Sequence, residues 1–295
     1  MREAFLGWMS RRLGVASGDW AAIPSIGSKE MVGLLPTLLG LGAGDVVVIP
    51  TLAYPTYEVG AVFAGCEVRV SDAPEAAEGA RLVWLNSPSN PTGRVAGAEE
   101  LREKLRAARR HGAIVVSDEC YIEFGWAVRP VSCLHADVAE GDTSGVLVLH
   151  ALSKRSTMAG YRFGTLAGDP VLVDRILQVR RHLGLLVPTP VQHAAVAAWD
   201  DDTHVEEQRR RYAARREVLR HALEAAGFRI DHSEAGLYLW ATRDQPCWET
   251  VADLASRGVL VAPGAFYGEA GARHVRVALT ASDDDVAFAA GRIAE

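Results

Sequence analysis

The feature that most constrains the fold is an alternation of short β-branched runs with longer amphipathic stretches. The runs DVVVIP (45–50), CEVRV (66–70), RLVWLN (81–86), AIVVSDE (113–119), GVLVLH (145–150) and FGTLAG (163–168) are apolar and too short for helices, so they read as buried strands. Helical periodicity covers Lys29 to Leu39, Thr56 to Ala64 and Ala98 to His111. Parallel strands need crossover connections, so this alternation predicts an α/β fold: a mainly parallel sheet sandwiched by helices. Ligands of such sheets gather beyond the carboxyl ends of the strands.

After Gly168 the texture changes. A helix is expected from Pro170 to about Gly184, a turn at the PTP of 188–190, and a helix to Trp199. A polar helix then runs from about Thr203 to Ala226 and ends at Gly227. Its Arg209, Arg210, Arg211, Arg215 and Arg216 interleave with Glu206, Glu207 and Glu217, which predicts a solvated face with i,i+4 pairs. FRIDHS, GLYLWAT and HVRVALT read as strands, with helices near 247–257 and 283–294. The predicted organisation is a large domain over 1–200, a connecting helix over 201–227 and a small α+β domain over 228–295.

Composition narrows the function classes. At 295 residues and 49% hydrophobic content the chain can bury a substantial core. With 31 Lys+Arg against 37 Asp+Glu the net charge is −6, which argues against nucleic acid or an anionic membrane as partner. No apolar run approaches the ~20 residues that span a bilayer, and the opening MREAFLGWMSRR lacks the form of a secretory signal. A cytoplasmic protein is expected. Cys66, Cys120, Cys133 and Cys247 form no CxxC pair, so neither a metal site nor a disulfide framework is expected.

Chemistry concentrates where three strands end. NSPSNPTG (86–93), SDECY (117–121) and HALSKRSTMAGYRFG (150–164) follow or finish consecutive strands, so Asn90, Asp118 with Tyr121, and Ser153 with Lys154 should gather at one sheet edge. A lysine at a strand end is by itself an ordinary solvated residue; its company gives it meaning.

These residues resemble the fold-type I pyridoxal-phosphate (PLP) aminotransferases of class I/II, including the spacings among Asn90, Asp118, Tyr121, Lys154 and Arg162. Five specified residues at fixed offsets coincide by chance on the order of once in a million. The resemblance implies a PLP transferase fold and a catalytic Lys154 that links to the cofactor and moves a proton at the substrate. Asp118 would keep the pyridine nitrogen protonated, while Asn90 and Tyr121 would bond the ring hydroxyl. Gly27, Ser28 and Lys29 of SIGSKE enter a helix and would meet the phosphate at its positive end, together with Ser153 and Arg162. Tyr54 would stack on the ring. Arg276, with Asn90 beside it, would bind the substrate α-carboxylate, since an inward arginine without an anion is costly.

More narrowly, motifs from about Ile23 to Ser282, including LAYPTYEVGA, WLNSPSNPTGRV and VLVAPGAFYGEAGARHVRVALT, resemble the actinobacterial N-succinyldiaminopimelate aminotransferases of lysine biosynthesis. That implies exchange of an amino group between N-succinyl-LL-2,6-diaminopimelate and 2-oxoglutarate. The family usually has Asn and Leu where Thr157 and Met158 stand here. Family members also carry a longer N-terminal segment with a tyrosine that reaches the neighbouring subunit, so a sequence begun at a wrong start is expected, and a homodimer. The same lysine and aspartate serve other PLP chemistry, such as β-elimination, and a PLP-fold protein with impaired catalysis is the reading from outside the active enzymes.

Overall fold

The computed structural model describes residues 1–294. Seven strands form the principal sheet: β1 (Ala21–Ser25), β2 (Val46–Ile49), β3 (Glu67–Val70), β4 (Leu82–Asn86), β5 (Ile114–Asp118), β6 (Val146–Ala151) and β7 (Gly164–Gly168). Their order is β1-β7-β6-β5-β4-β2-β3. The five strands from β3 to β6 pair in parallel, while β7 runs antiparallel to both β6 and β1. The expected mainly parallel sheet is therefore present.

The reversal at β7 has a simple cause. Between Ala151 and Gly164 the chain has only two short helical turns, Leu152–Arg155 and Ala159–Tyr161, too little for a crossover. The sequence reading placed no strand at β1 and no helix at Arg2–Leu13, and both are present. β1 contains Pro24, which an edge strand tolerates because it need not donate a ladder bond.

Strand alternation divides the core. Val47, Ile49, Leu82, Trp84, Leu147 and Leu149 face one helical layer, with Met31 and Leu35 of the helix Gly27–Leu38. Val48, Val83, Val115 and Val148 face the other, with Leu101 and Leu105 of Ala98–Arg110 and with Phe5 and Trp8 of the N-terminal helix. Among the described residues no helix is long and apolar enough to cross a membrane.

A second, antiparallel sheet contains β8 (Arg229–Ile230), β9 (Tyr238–Thr242), β10 (Ala262–Pro263) and β11 (His274–Ala278), in the order β10-β11-β9-β8. The long helix Thr203–Ala225 and the helix Asp283–Ala294 share its core through Leu219, Leu223, Leu239, Val277 and Val286. The arginines of the long helix are less solvent-directed than expected. Arg220 does form an i,i+4 pair with Glu224 at 2.9 Å. Arg215 instead pairs with Asp283 at 2.5 Å, Arg216 donates to Ser233, and Arg209 donates to the Gly125 carbonyl.

The two sheets are joined by loop backbone. Ala235 donates to the Gly93 carbonyl and Gly236 to that of Phe124, both at 2.9 Å, and Trp126 donates to the Glu234 carbonyl at 2.8 Å. Gly93 sits at φ +75°, and a Cβ there would overlap the Ala235 carbonyl oxygen.

Candidate active site

The pairing of β4 with β5 sets Asn86 directly beside Asp118, and β6 brings the Leu152–Arg155 turn alongside. These strand ends and the second sheet enclose a cavity of about 560 Å³. Ser28, Lys29, Tyr54, Asn90, Asp118, Tyr121, Ser153, Lys154, Arg162 and Arg276 all line it. Gly27 lies behind Arg162. Sequence reasoning missed Tyr57, Cys120, Tyr238, Phe266 and Tyr267 on the same walls.

Asp118 is buried at the end of β5. The Tyr57 hydroxyl donates to its Oδ2 at 3.0 Å and the Cys120 N–H to its Oδ1 at 3.2 Å. Burial pushes the carboxyl above its ordinary range; the bonds from Cys120 and Tyr57 and the field of His150 pull it only part of the way back. Tyr57 is fixed by stacking on Trp84, with ring centroids 4.7 Å apart. Burial, then the Asp118 charge, holds its phenol well above the usual value, so it remains a donor. Asp118 thus faces the cavity with no ion-pairing cation among the described residues.

Asn86 organises the neighbouring loop. Its amide donates to the carbonyls of Asp118 at 2.9 Å and Pro88 at 3.1 Å, and its Oδ1 accepts from the Asn90 N–H at 2.7 Å. Asn90 in turn accepts from Arg276 Nη1 at 2.9 Å. The Arg276 guanidinium lies 3.8 Å from the Tyr238 ring centroid and 5.0 Å from that of Tyr267. Its Nε is buried and unpartnered among the described residues. The hydroxyls of Tyr121 and Tyr238 share a hydrogen bond at 3.0 Å, and Lys154 Nζ lies 5.8 Å from the Tyr121 ring centroid.

On the opposite wall the helix Gly27–Leu38 begins without a side-chain cap. Ser28 does not cap it; its hydroxyl accepts from the Cys120 thiol at 3.3 Å. The first-turn N–H groups lack intrahelical acceptors and carry the positive end of the helix dipole. Gly27 adopts φ +74°, and a Cβ there would come within 2.8 Å of Arg162 Cζ. A Cβ on Gly164 would lie 2.6 Å from the Ser28 nitrogen. These two glycines let the helix start close on Arg162. The cavity therefore combines Lys29, Lys154, Arg162 and Arg276 with the single carboxylate Asp118, a setting for anionic groups.

The sequence model of aminotransferase class I and II matches residues 1–293. The 4-dedimethylamino-4-oxo-anhydrotetracycline transaminase of Streptomyces rimosus is 56% identical over 295 residues, covering 99% of this chain and 82% of that protein. An LL-diaminopimelate aminotransferase of Dehalococcoides mccartyi is 32% identical over 97% of this chain and 78% of its own length. A solved aminotransferase from Staphylococcus aureus superposes with a TM-score of 0.89 at 25% identity, over 99% of this chain and 81% of that one. The chain belongs to the class I and II aminotransferases, a family of pyridoxal-phosphate-dependent enzymes.

Proposed function

We propose that the cavity at the ends of β4, β5 and β6 transfers an amino group between an amino acid and a 2-oxo acid, with Lys154 as its catalytic residue. The observation that carries this is the convergence on one space of Lys154 with Asp118 and Arg276, neither of which has an ion-pair partner among the described residues.

The residues fit pyridoxal 5'-phosphate. A buried carboxylate raised by desolvation calls for a cationic N–H partner, which a protonated pyridine nitrogen supplies at Asp118. Gly27, Ser28 and Lys29 at the helix start, with Ser153 and Arg162, would hold the phosphate. Asn90 and Tyr121 would bond the ring hydroxyl, and Tyr54 would cover a ring face. Bound there, the cofactor supplies an electron sink for the electrons at the substrate Cα. Lys154 would hold the cofactor, and its free amine would take up and return a proton at the substrate Cα. Arg276 binds the α-carboxylate and retains it through the reaction.

The donor implied by the motifs is N-succinyl-LL-2,6-diaminopimelate, with 2-oxoglutarate as acceptor. The relative named for LL-diaminopimelate supports it; the relative named for an oxo-anhydrotetracycline widens the panel to ring ketones. A homodimer belongs to the same reading, supported by the exposed apolar Val59, Val62 and Phe63 on one helix and Leu183 and Leu186 on another segment. A single-chain mass for the active enzyme in light scattering would contradict it. A cytoplasmic location agrees with the absence of a membrane-crossing helix among the described residues.

Mixing the holoenzyme with L-glutamate tests the central reading. The absorbance of the bound cofactor should convert from the pyridoxal to the pyridoxamine form, and 2-oxoglutarate should appear in equal amount. An unchanged spectrum with a saturating series of amino acids would overturn it.

A further inference from the structure

Arg180 is a deeply buried cation that the cofactor reading does not use. It is 1% exposed, stands in the last turn of the helix Pro170–His182 and does not line the active-site cavity. Burying a guanidinium is costly unless its donors are met, and both Nη atoms have acceptors. Nη1 donates to Glu30 Oε1 at 2.5 Å and Nη2 to the Leu185 carbonyl at 2.8 Å. The second contact is local. Gly184 at φ +70° turns the chain back after the helix, and the Leu185 N–H donates to the Arg180 carbonyl at 3.0 Å. The first contact reaches 150 residues back along the chain.

Glu30 connects this cation to the helix start that faces the cavity. It stands in the first turn of the helix Gly27–Leu38, and its Oε2 accepts from the Ile26 N–H at 3.2 Å. A helix leaves its first four N–H groups without intrahelical acceptors. Glu30 takes the outermost of them, much as the acid of a capping box does. Those of Gly27, Ser28 and Lys29 remain for an anion. The Ser25 hydroxyl donates to the Gly27 carbonyl at 3.2 Å, and across a trans peptide the Ser28 N–H then points the opposite way. Ser25 and Glu30 together set the direction in which the helix start presents its donors.

A carboxylate in this place carries a cost of its own. The positive end of the helix dipole attracts Glu30 as it attracts a phosphate, and two anions at one helix start repel each other. Arg180 answers both demands, since its charge offsets that of Glu30 and its Nη1 fixes the carboxylate that holds Ile26. Both side chains of the pair come from one chain and are buried in it, so the pair is complete without a second subunit.

We propose that Arg180 and Glu30 are positioning residues for the cofactor phosphate. Their ion pair fixes the start of the helix Gly27–Leu38 and neutralises its first-turn carboxylate, so a phosphate meets the free N–H groups without a competing anion. This rests on the cofactor placement within the amino-transfer reading. Neither residue lines the cavity, and both act through the helix start.

The test compares pyridoxal 5'-phosphate with pyridoxal, which lacks the phosphate, in titrations of the cofactor-free enzyme followed by cofactor absorbance. Arg180→Met leaves the Glu30 charge uncompensated at the helix start. It should weaken pyridoxal 5'-phosphate about tenfold and pyridoxal less than about twofold. Arg180→Lys keeps a cation for Glu30 and should restore most of the loss. Glu30→Gln added to Arg180→Met removes the charge and leaves an acceptor for the Ile26 N–H, so the double variant should bind pyridoxal 5'-phosphate more tightly than Arg180→Met. Should Arg180→Met not fold, Arg180→Gln, which keeps a donor but no charge, takes its place with the same expectation. Equal losses for both ligands would make the pair merely structural, and no loss for pyridoxal 5'-phosphate would separate it from the phosphate; either overturns the proposal. So does a double variant no tighter than the single one. If glutamate fails to convert the wild-type cofactor while the phosphate-specific loss is still seen, the amino-transfer reading fails and the positioning role stands. Normal conversion without that loss fails the positioning role alone.

Discussion

Asp118 is a buried carboxyl with no ion-pairing cation among the described residues. Its carboxyl is raised above the unfolded value by burial, so the cofactor-free native state retains a proton that the unfolded chain has released. Stability of the cofactor-free protein therefore falls as pH rises from the unfolded carboxyl value through the raised one, and levels above it. Asp118→Asn removes this dependence. The melting temperature of the cofactor-free variant minus that of wild type should grow as pH rises across that window, then become constant. The same variant should lose most of its turnover, because a neutral amide cannot keep the pyridine nitrogen protonated. A difference independent of pH would show that the charge of Asp118 is compensated within the protein. The sequence revealed Asp118 and Lys154 because their spacing is fixed by strand ends. Tyr57 was not legible: it lies 61 residues before Asp118, and AYPTYE reads only as the start of a helix. Cys120 and Tyr238 were likewise not legible as cavity residues, since which face of the cavity they join depends on how the two sheets meet.

At the scale of elements, the start of the helix Gly27–Leu38 is held by what glycine lacks. Residue 27 lies at φ +74°, a conformation that costs an L-residue about 1–2 kcal/mol. Gly27→Ala should lose roughly that much stability in urea unfolding. It should also displace Arg162 and weaken cofactor binding about tenfold in spectroscopic titration. Gly164→Ala strikes the backbone of Ser28 and Gly27 as well as the Ser25 hydroxyl, and backbone yields less readily than the Arg162 side chain, so its cofactor affinity should fall further. Full affinity in both variants would remove the helix start from the phosphate site. The helix itself was legible to within two residues of its observed start, because its apolar spacing and the SIGSKE entry agree. β1 was not: five residues with a proline in fourth place carry little strand signal, and their pairing is decided by β7, far along the chain. The reversal of β7 was legible in principle from the lack of a crossover helix between Ala151 and Gly164.

For the molecule as a whole, the position of Lys154 depends on the residue beside it. Arg155 leaves the same turn in another direction and is almost fully buried. It pairs with Glu123 at 2.5 Å and Asp202 at 2.6 Å, and its guanidinium lies 5.8 and 5.2 Å from the Trp8 and Trp199 rings. One side chain thus connects the catalytic turn to the N-terminal helix, the segment after β5 and the start of the long helix. Glu123 also accepts from Trp8 and Arg12, so it is buried among donors. Desolvation lowers the Arg155 pKa and the two carboxylates oppose it, as for an ion held in place by its partners. Arg155→Met roughly keeps the volume and leaves Glu123 with Arg12 as its remaining ion-pair partner, which should cost about 1–3 kcal/mol in denaturant unfolding. It should also lower turnover through misplacement of Lys154, with the cofactor still bound. Adding Glu123→Gln removes the part of the charge that Arg155 no longer offsets while leaving an acceptor for Trp8 and Arg12, so the double variant should regain part of that stability. If it is no more stable than Arg155→Met alone, the loss comes from packing between the two tryptophans, and the ion pair with Glu123 is not what holds the catalytic turn.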